Sequence, residues 1–576
     1  MRLNQKNPNS TLGGIKTWED VAILVILAGA VVLKLLLLLT SQSAIDGDEA
    51  VVGIMAKHIL EGKAAPMVFY GQNFGGGALI EALIALPFFA SFEISSPALK
   101  AAGLIVFMAL LVMVYIFVKK RFGIRPALIS ISFLALSPTF VEWALKTRGG
   151  HILSLFWGMA ICHVLFERVL PLASQQSVVP HARPVRSYRN AVFSLGLLCG
   201  LNIWILHTNV VLVLLVLVFW LGSTWRYQFF KGVSAMALGI ALGLVPLALH
   251  AIQTEQPLFD VLLRPRDGML APSPINAWRN LAALVEWLGP SVFTPRLDGN
   301  IALYHDGHIP FYSKLLFVSV LGATVWLMIT AGKAVLALRL KSLAATDQSR
   351  VFVAAFIASY LAAFTLIDPE ANQPRYLLPL TPFWIIALAL SFEQMFLQRR
   401  RLMHYTGYVV LAIFLGIGGL VHVQWMFRPP SFYFAGNVYE YLAQEKVVQL
   451  IRFLRDRGIR YAYIPDHLME WKTIFESREQ IIAARLDRSH RYKPYVDAIN
   501  QAVINEGKPY AVVLIRTQEA YSRWVMENVG QLIEQISRGT NIRSQSFGEY
   551  ILVYYDFPGP IFAPLTAPES GAHEGK

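Results

Sequence analysis

The sequence is short of two things that soluble enzymes have in quantity. Only 15% of its 576 residues are charged, where a soluble globular chain carries about a quarter. It has two cysteines, Cys162 and Cys199, both inside apolar runs. The first shortage argues against an ordinary cytosolic enzyme. The second leaves no material for a disulfide framework or a thiolate metal site. No block of basic residues with interleaved aromatics stands in a polar context, so nucleic acid is not an expected partner. No repeat of solenoid period is present either.

What is plentiful is apolar side chain: 55% of the residues are hydrophobic and the mean hydropathy is +0.49. The apolar residues come in runs of about 16 to 22, close to the ~20 that cross a bilayer core as a helix. Eleven such spans are expected, near 21–40, 98–118, 127–141, 152–171, 191–206, 210–221, 232–252, 313–338, 351–367, 376–397 and 407–427. The pair between 191 and 221 is short enough to be tilted or re-entrant. Gly77–Phe92 is apolar but carries Glu81 and Pro87, and reads as an interfacial or re-entrant helix.

Charge supports that threading. The formal net charge is +13, and residues 1–427 hold 32 Lys/Arg against 20 Asp/Glu, while 428–576 hold 18 against 17. With the N-terminus in the cytoplasm, every second loop is basic: Lys119, Lys120, Arg121 and Arg125, then Arg183, Arg186 and Arg189, then Arg226 and Lys231, and so on to Arg399–Arg401. This is the positive-inside pattern. The odd span count then puts the C-terminal segment outside. The first run is long for a cleaved signal and lacks a clear small-x-small exit, so it is expected to stay as an anchor. Three regions follow: a membrane domain over 1–427, an extracytoplasmic α/β domain over 428–557, and a disordered tail over 558–576.

The sharpest local signal is DGDEAVVGIMAKHILEGK, Asp46 to Lys63, directly after the first span. Three acids in four residues at the edge of a bilayer are expensive unless they are used or well solvated. Val51, Val52, Met55, Ile59 and Leu60 share one helical face, as in a helix lying in the interface. Asp46 with Glu49 three residues later also reads as a capping box, which leaves Asp48 as the acid with no role in the cap. Beyond it lie FYGQNFGGGALIEALIALPF, Phe69 to Phe88, and RYLLPLTPF, Arg375 to Phe383.

Taken together and in this order, the three segments resemble the GT-C superfamily of integral membrane glycosyltransferases. That group includes protein O-mannosyltransferases and the bacterial transferases of aminoarabinose and galacturonic acid to lipid A or its core. The family's acidic pair matches Asp48-Glu49. The second segment, with Tyr70 and Gln72, resembles its YGQ-x-x-G stretch, and Arg375-Tyr376 opens a segment like its R-Y-x-x-P-x-x-P entry to a late span. The resemblance implies a GT-C-like helical fold with outer-face interfacial helices, lying in the plasma (inner) membrane. It implies a polyprenyl-phosphate-linked sugar as donor, and a lipid, glycan or protein hydroxyl as acceptor. It assigns the base to Asp48, with Asp46 in reserve because D-x-D leaves the register open, and inversion at the anomeric carbon as the outcome.

The donor phosphate needs cations on the same side. EWALKTRGGHI offers Lys146, Arg148 and His151, LLRPRDG offers Arg264 and Arg266, and Arg375 opens its late span. Planar guanidinium groups suit bidentate phosphate contacts; cations at a membrane edge also meet lipid headgroups or snorkel. A divalent cation is an open option without an assigned ligand set, since His305 and His308 in HDGH have no third ligand at a metal-site spacing. Lys34, inside the first span, is expected to snorkel, and Gly75–Gly77 to form a flexible join. Two rival functions predict different features. A lipid-linked substrate transporter predicts charges at span centres and paired halves, and a non-catalytic sensor or assembly protein predicts indifference to loss of Asp48.

Overall fold

The computed structural model describes residues 18–40, 44–172, 185–224, 229–258, 261, 272–295, 309–337, 345–367, 373–398, 400–428, 442–486, 491–516 and 524–565. The eleven expected spans fall on helical segments in whole or in part. Six helices are long and apolar enough to cross a membrane: Trp18–Thr40 (α1), Ser96–Phe122, His151–Leu172, Phe311–Leu336, Pro374–Phe396 and Arg401–Met426. Two more spans are broken: Ile124–Leu136 turns by 73° into Thr139–Leu145, and Gly232–Gly243 by 46° into Val245–Gln253. The first break falls at Ser137-Pro138, where proline withdraws a backbone donor and biases its neighbour away from helix. The other helices, Val185–Ile205, His207–Gly222 and Ala345–Phe364, are shorter or less apolar. The outward faces are apolar: Val25, Leu35, Leu36 and Leu39 on α1 are exposed while Ala30, Lys34, Leu37 and Leu38 point inward. That is the surface a helix presents to hydrocarbon, where its backbone polar groups are already paired internally.

Between α1 and the helix Ser96–Phe122 (α4) come Gly47–Leu60 (α2) and Gly77–Phe92 (α3). At one end of the bundle Lys119 pairs with Glu19 at 3.3 Å, and Arg121 meets Glu167 at 3.3 Å and Ser349 at 2.8 Å. α2 sits at the other end, with the C-terminal domain against it.

That domain holds a five-stranded sheet in the order β2-β1-β3-β5-β4. β1 (Tyr461–Tyr463) runs parallel to β2 (Ile482–Ala484) and β3 (Tyr510–Ile515), while β5 (Ile551–Tyr555) is antiparallel to β3 and β4 (Arg543–Phe547). YAVVLI of β3 is buried at every position, as a central strand covered on both faces must be, whereas β4 is a polar, exposed edge. Residues 558–565, at the start of the segment expected to be disordered, make contacts with the domain. Ile561 N donates to Tyr510 Oη at 3.1 Å, Leu565 N donates to Asn500 Oδ1 at 2.9 Å, and Phe562 lies 5.0 Å from the Tyr463 ring.

α2 is enclosed rather than half-exposed: Val51 to His58 are all buried. The helix His467–Glu476 of the α/β domain lies along it, and two glycines admit the contact. A Cβ on Gly47 would fall 2.3 Å from Leu468 Cα, and one on Gly53 would fall 2.3 Å from the Phe475 ring. Two further expectations change. Lys34 does not snorkel; it is fully buried, and its Nζ donates to Phe140 O at 2.5 Å and lies 2.5 Å from His422 Nε2. Polar atoms inside the bundle hold the amino group there, tying α1 to the bent segment and to Arg401–Met426. Gly75–Gly77 is a close-packed contact, not a loose join, since Cβ atoms at Gly76 and Gly77 would strike the Trp204 indole at 2.2 Å and Gly150 Cα at 2.5 Å.

Candidate active site

The N-terminus of α2 builds the site. Asp46 caps it: its Oδ1 accepts from Glu49 N at 2.9 Å, while Asp46 N donates to Glu49 Oε2 at 3.2 Å. The expected capping box is therefore formed, and both members also hold cations. Asp46 Oδ2 lies 3.1 Å from Lys146 Nζ and 3.3 Å from Arg148 Nη1. Glu49 Oε1 accepts from Lys100 Nζ at 3.0 Å, with both side chains buried. Lys146 also pairs with Glu142, one turn before it.

Asp48, free of the cap, points its carboxylate into a cation ring. Arg148 donates to Oδ2 through Nε at 3.1 Å and Nη2 at 2.8 Å, and Arg491 donates to Oδ1 through Nη1 at 2.9 Å. The Asp48 side chain keeps 18% of its surface open. Burial alone would raise this carboxyl. The guanidinium of Arg148, then that of Arg491, with His467 and Arg375 further out, overturn that and hold it well below the ordinary range. Asp48 is ionised at neutral pH.

The turn that carries Arg148 is itself held. Gly149 and Gly150 have φ of +65° and +89°, a left-handed backbone open to glycine at little cost. The backbone N–H groups of Gly150 and Gly149 bond to Glu81 of α3. Glu81 is buried, its Oε2 has no partner among the described residues, and burial lifts its carboxyl to about 8.

Of the residues expected at the site, Asp46, Asp48, Glu49, Lys146 and Arg148 are brought into one network. Arg375 acts on it through its charge and rests 5.6 Å over the Tyr376 ring. Tyr376 is buried and its carbonyl accepts from Tyr360 at 2.6 Å, so it supports the chain and does not line the acidic cluster. His151 begins the next span and packs edge-on against Trp143 at 5.3 Å. Tyr70 lies to one side, its hydroxyl 3.0 Å from His58 Nδ1, and Gln72 closes a turn through N–H to Phe69 O at 3.1 Å. Arg264, Arg266, His305 and His308 lie outside the described residues.

Four participants had no motif to announce them: Lys100 at the start of α4, Glu142, and His467 and Arg491 from the α/β domain. Glu142 stood in the right register, four residues before Lys146, and an i,i+4 pair is a usable signal. Burial, with Arg491 adding to it, lowers His467, while Asp466 and Asp48 oppose the change. Lys472 of the same helix is buried, which pulls its ammonium down to about 8, and it donates to Leu442 O at 2.7 Å.

A cluster of metal-ligand side chains lies apart from the acidic cluster. Ligand atoms of His58, Glu61 and Glu479 come within 4.8 Å of one another. Lys57 pairs with both carboxylates and Lys63 lies 2.9 Å from Glu61. Those ammonium groups already neutralise the acids, so the donor set as it stands does not fit a divalent ion.

The sequence matches no protein-family model and no curated protein. Solved structures do match. ArnT from Cupriavidus metallidurans bound to undecaprenyl phosphate superposes with a TM-score of 0.55 at 10% identity, over 93% of this chain and 99% of that one. The same protein in the apo state gives 0.54 at 11%, over 92% and 97%. The Archaeoglobus fulgidus oligosaccharyltransferase in complex with Zn and sulfate gives 0.50 at 11%, over 85% of this chain and 67% of that one. At such identities the likeness is one of fold, and it runs through both the helical bundle and the α/β domain. The chain shares their fold: a bundle with six helices long and apolar enough to cross a membrane among the described residues, and an α/β domain.

Proposed function

We propose that the protein transfers a sugar from a polyprenyl-phosphate donor to a hydroxyl acceptor, at the end of the bundle capped by the α/β domain. The observation that carries this is Asp48, an ionised and partly open carboxylate held between Arg148 and Arg491, in a fold like that of a protein captured with undecaprenyl phosphate. The positive-inside pattern of the sequence supports reading this end as extracytoplasmic.

The chemistry balances with these residues alone. Asp48 takes the acceptor's hydroxyl proton as its oxygen bonds the anomeric carbon. The bond from that carbon to the phosphate oxygen breaks, and the electron pair leaves on polyprenyl phosphate. Phosphate is a good leaving group, so one carboxylate suffices where a glycosidase needs two. Lys146, Arg148 and Arg375 stabilise the charge that grows on the departing phosphate. Attack opposite the leaving group inverts the anomeric centre. The acceptor is a lipid, glycan or protein hydroxyl that reaches the site from the outer face.

The test is transfer by purified protein supplied with a panel of radiolabelled polyprenyl-phosphate sugars. Asp48→Asn keeps the shape of the side chain and removes the base, with an expected loss of about 10²–10⁴ in rate. Undiminished transfer by that variant refutes the assignment.

A further inference from the structure

A carboxylate whose oxygens are both held by guanidinium groups is a poor proton acceptor, so the resting arrangement blocks the step that Asp48 is assigned. One arginine has to leave. Arg148 is anchored twice, on Asp48 and on Asp46 at 3.3 Å, and its turn is pinned by Glu81. Arg491 differs. Its one ion pair among the described residues is with Asp48, and its guanidinium otherwise rests 5.2 Å from the Phe69 ring centre. Its backbone fits closely over Gly71, where a Cβ would fall 2.5 Å from Arg491 Cα. The α/β domain thus lays a singly tethered guanidinium on the exposed side of the base.

We propose that Arg491 is an anion-released brake: the donor's phosphate draws its guanidinium off Asp48 Oδ1, which binds the donor and arms the base in one movement. This rests on the reading of Asp48 as base. Charge drives the exchange. Asp46, Asp48, Glu49 and Glu142 face Lys100, Lys146, Arg148 and Arg491, with Arg375 in addition. These nine groups carry one positive charge in excess, and a sugar phosphodiester brings one negative charge. Phosphate oxygens accept the planar fork of an arginine in the bidentate manner a carboxylate does. Once Arg491 turns to the phosphate, Oδ1 is open to the acceptor hydroxyl. On product release the guanidinium returns and the base is masked again. Donor occupancy and base strength are then coupled through a residue of the α/β domain.

The groups that face Asp48 from each neighbouring element are Asp46 and Glu49 of α2, Lys146 and Arg148, Arg375, and His467 and Arg491. Arg485 acts at one remove, through His467. Full-length wild type, Arg491→Gln and Arg491→Lys are compared by transfer kinetics across pH. Arg491→Gln is expected to raise the donor KM by about tenfold or more, and to move the acid limb of kcat/KM up by about one pH unit. Arg491→Lys recovers most of the KM but little of the bidentate geometry. A role confined to fastening the domain would not move the acid limb.

A second measurement needs no turnover. Asp48→Asn releases Arg491, so binding of undecaprenyl phosphate is expected to tighten by about fivefold or more, and adding Arg491→Gln abolishes the gain. The brake is overturned if Arg491→Gln leaves both donor KM and acid limb in place, or if Asp48→Asn binds undecaprenyl phosphate as wild type does. Should Asp48→Asn be inactive while those results hold, the base assignment survives and the brake alone falls. Full transfer by Asp48→Asn removes the base assignment itself.

Discussion

Glu81 provides a test that needs no substrate. Its carboxyl stays neutral up to about 8 because it is buried, although Gly149 and Gly150 bond to it and favour ionisation. In the unfolded chain it ionises near 4.5, so between pH 4.5 and about 8 the unfolded state loses a proton that the folded state keeps. Stability then falls as pH rises through that window, and levels off above it. At 1.36 kcal/mol per pH unit, the fall from 4.5 to about 8 amounts to about 5 kcal/mol. Glu81→Gln mimics the neutral acid: its carbonyl still accepts from the glycine N–H groups, and its amide replaces the unpartnered Oε2. With an unfolding entropy of about 2.1 cal/mol/K per residue over 576 residues, the wild-type midpoint should drop by about 4 °C relative to the variant. The assay is thermal unfolding of detergent-purified protein at intervals from pH 5 to 9. Parallel curves for the two proteins across that range would refute the account of a buried, neutral Glu81.

Gly47→Val places side-chain atoms where the backbone of Leu468 now lies; it should undock the α/β domain, seen as faster proteolysis between the domains and a loss of transfer, while Gly322→Ala, at an open position on a span, does neither. Lys57→Met removes the ammonium shared by Glu61 and Glu479. Zinc binding, followed by calorimetry, should strengthen by about tenfold or more in that variant, because His58, Glu61 and Glu479 then lack their nearest neutralising partner; equal affinity in wild type would count against the role given to Lys57.

The spans were legible because hydrocarbon imposes one rule on every residue of a segment, and the rule is written locally. Positive charge in alternate loops was legible for the same reason, and Lys119 and Arg121 do meet Glu19 and Glu167 at one end of the bundle. The cap of α2 could be read because Asp46 and Glu49 are three residues apart. What could not be read is the other half of the site. Arg491 reaches Asp48 across a separation of 443 residues, and no periodicity records such a contact. The apolar face of α2 pointed to a helix in the interface, yet the α/β domain covers the rest of it. One trace was present. Gly47, Ala50, Gly53 and Ala56 recur every three residues along α2, and small side chains at that spacing let another helix approach closely. The place of Lys34 is not written locally, because snorkelling depends on what that end of the bundle leaves open. His422 and the Phe140 carbonyl fill that place.

The acids at positions 46, 48 and 49 explain why the bundle and the α/β domain belong together. Three carboxylates on one helical turn repel one another, and their placement at a helix N-terminus offsets only part of that. Each is answered by a cation from a different segment: Lys146 and Arg148 from the turn before the fourth span, Lys100 from α4, Arg491 from the α/β domain. Without that last residue the bundle offers Asp48 the two bonds from Arg148 and leaves Oδ1 to water. The cluster is complete only when both parts of the chain meet on α2. The partners of Asp48 therefore depend on where the covering domain sits, because Arg491 comes from that domain.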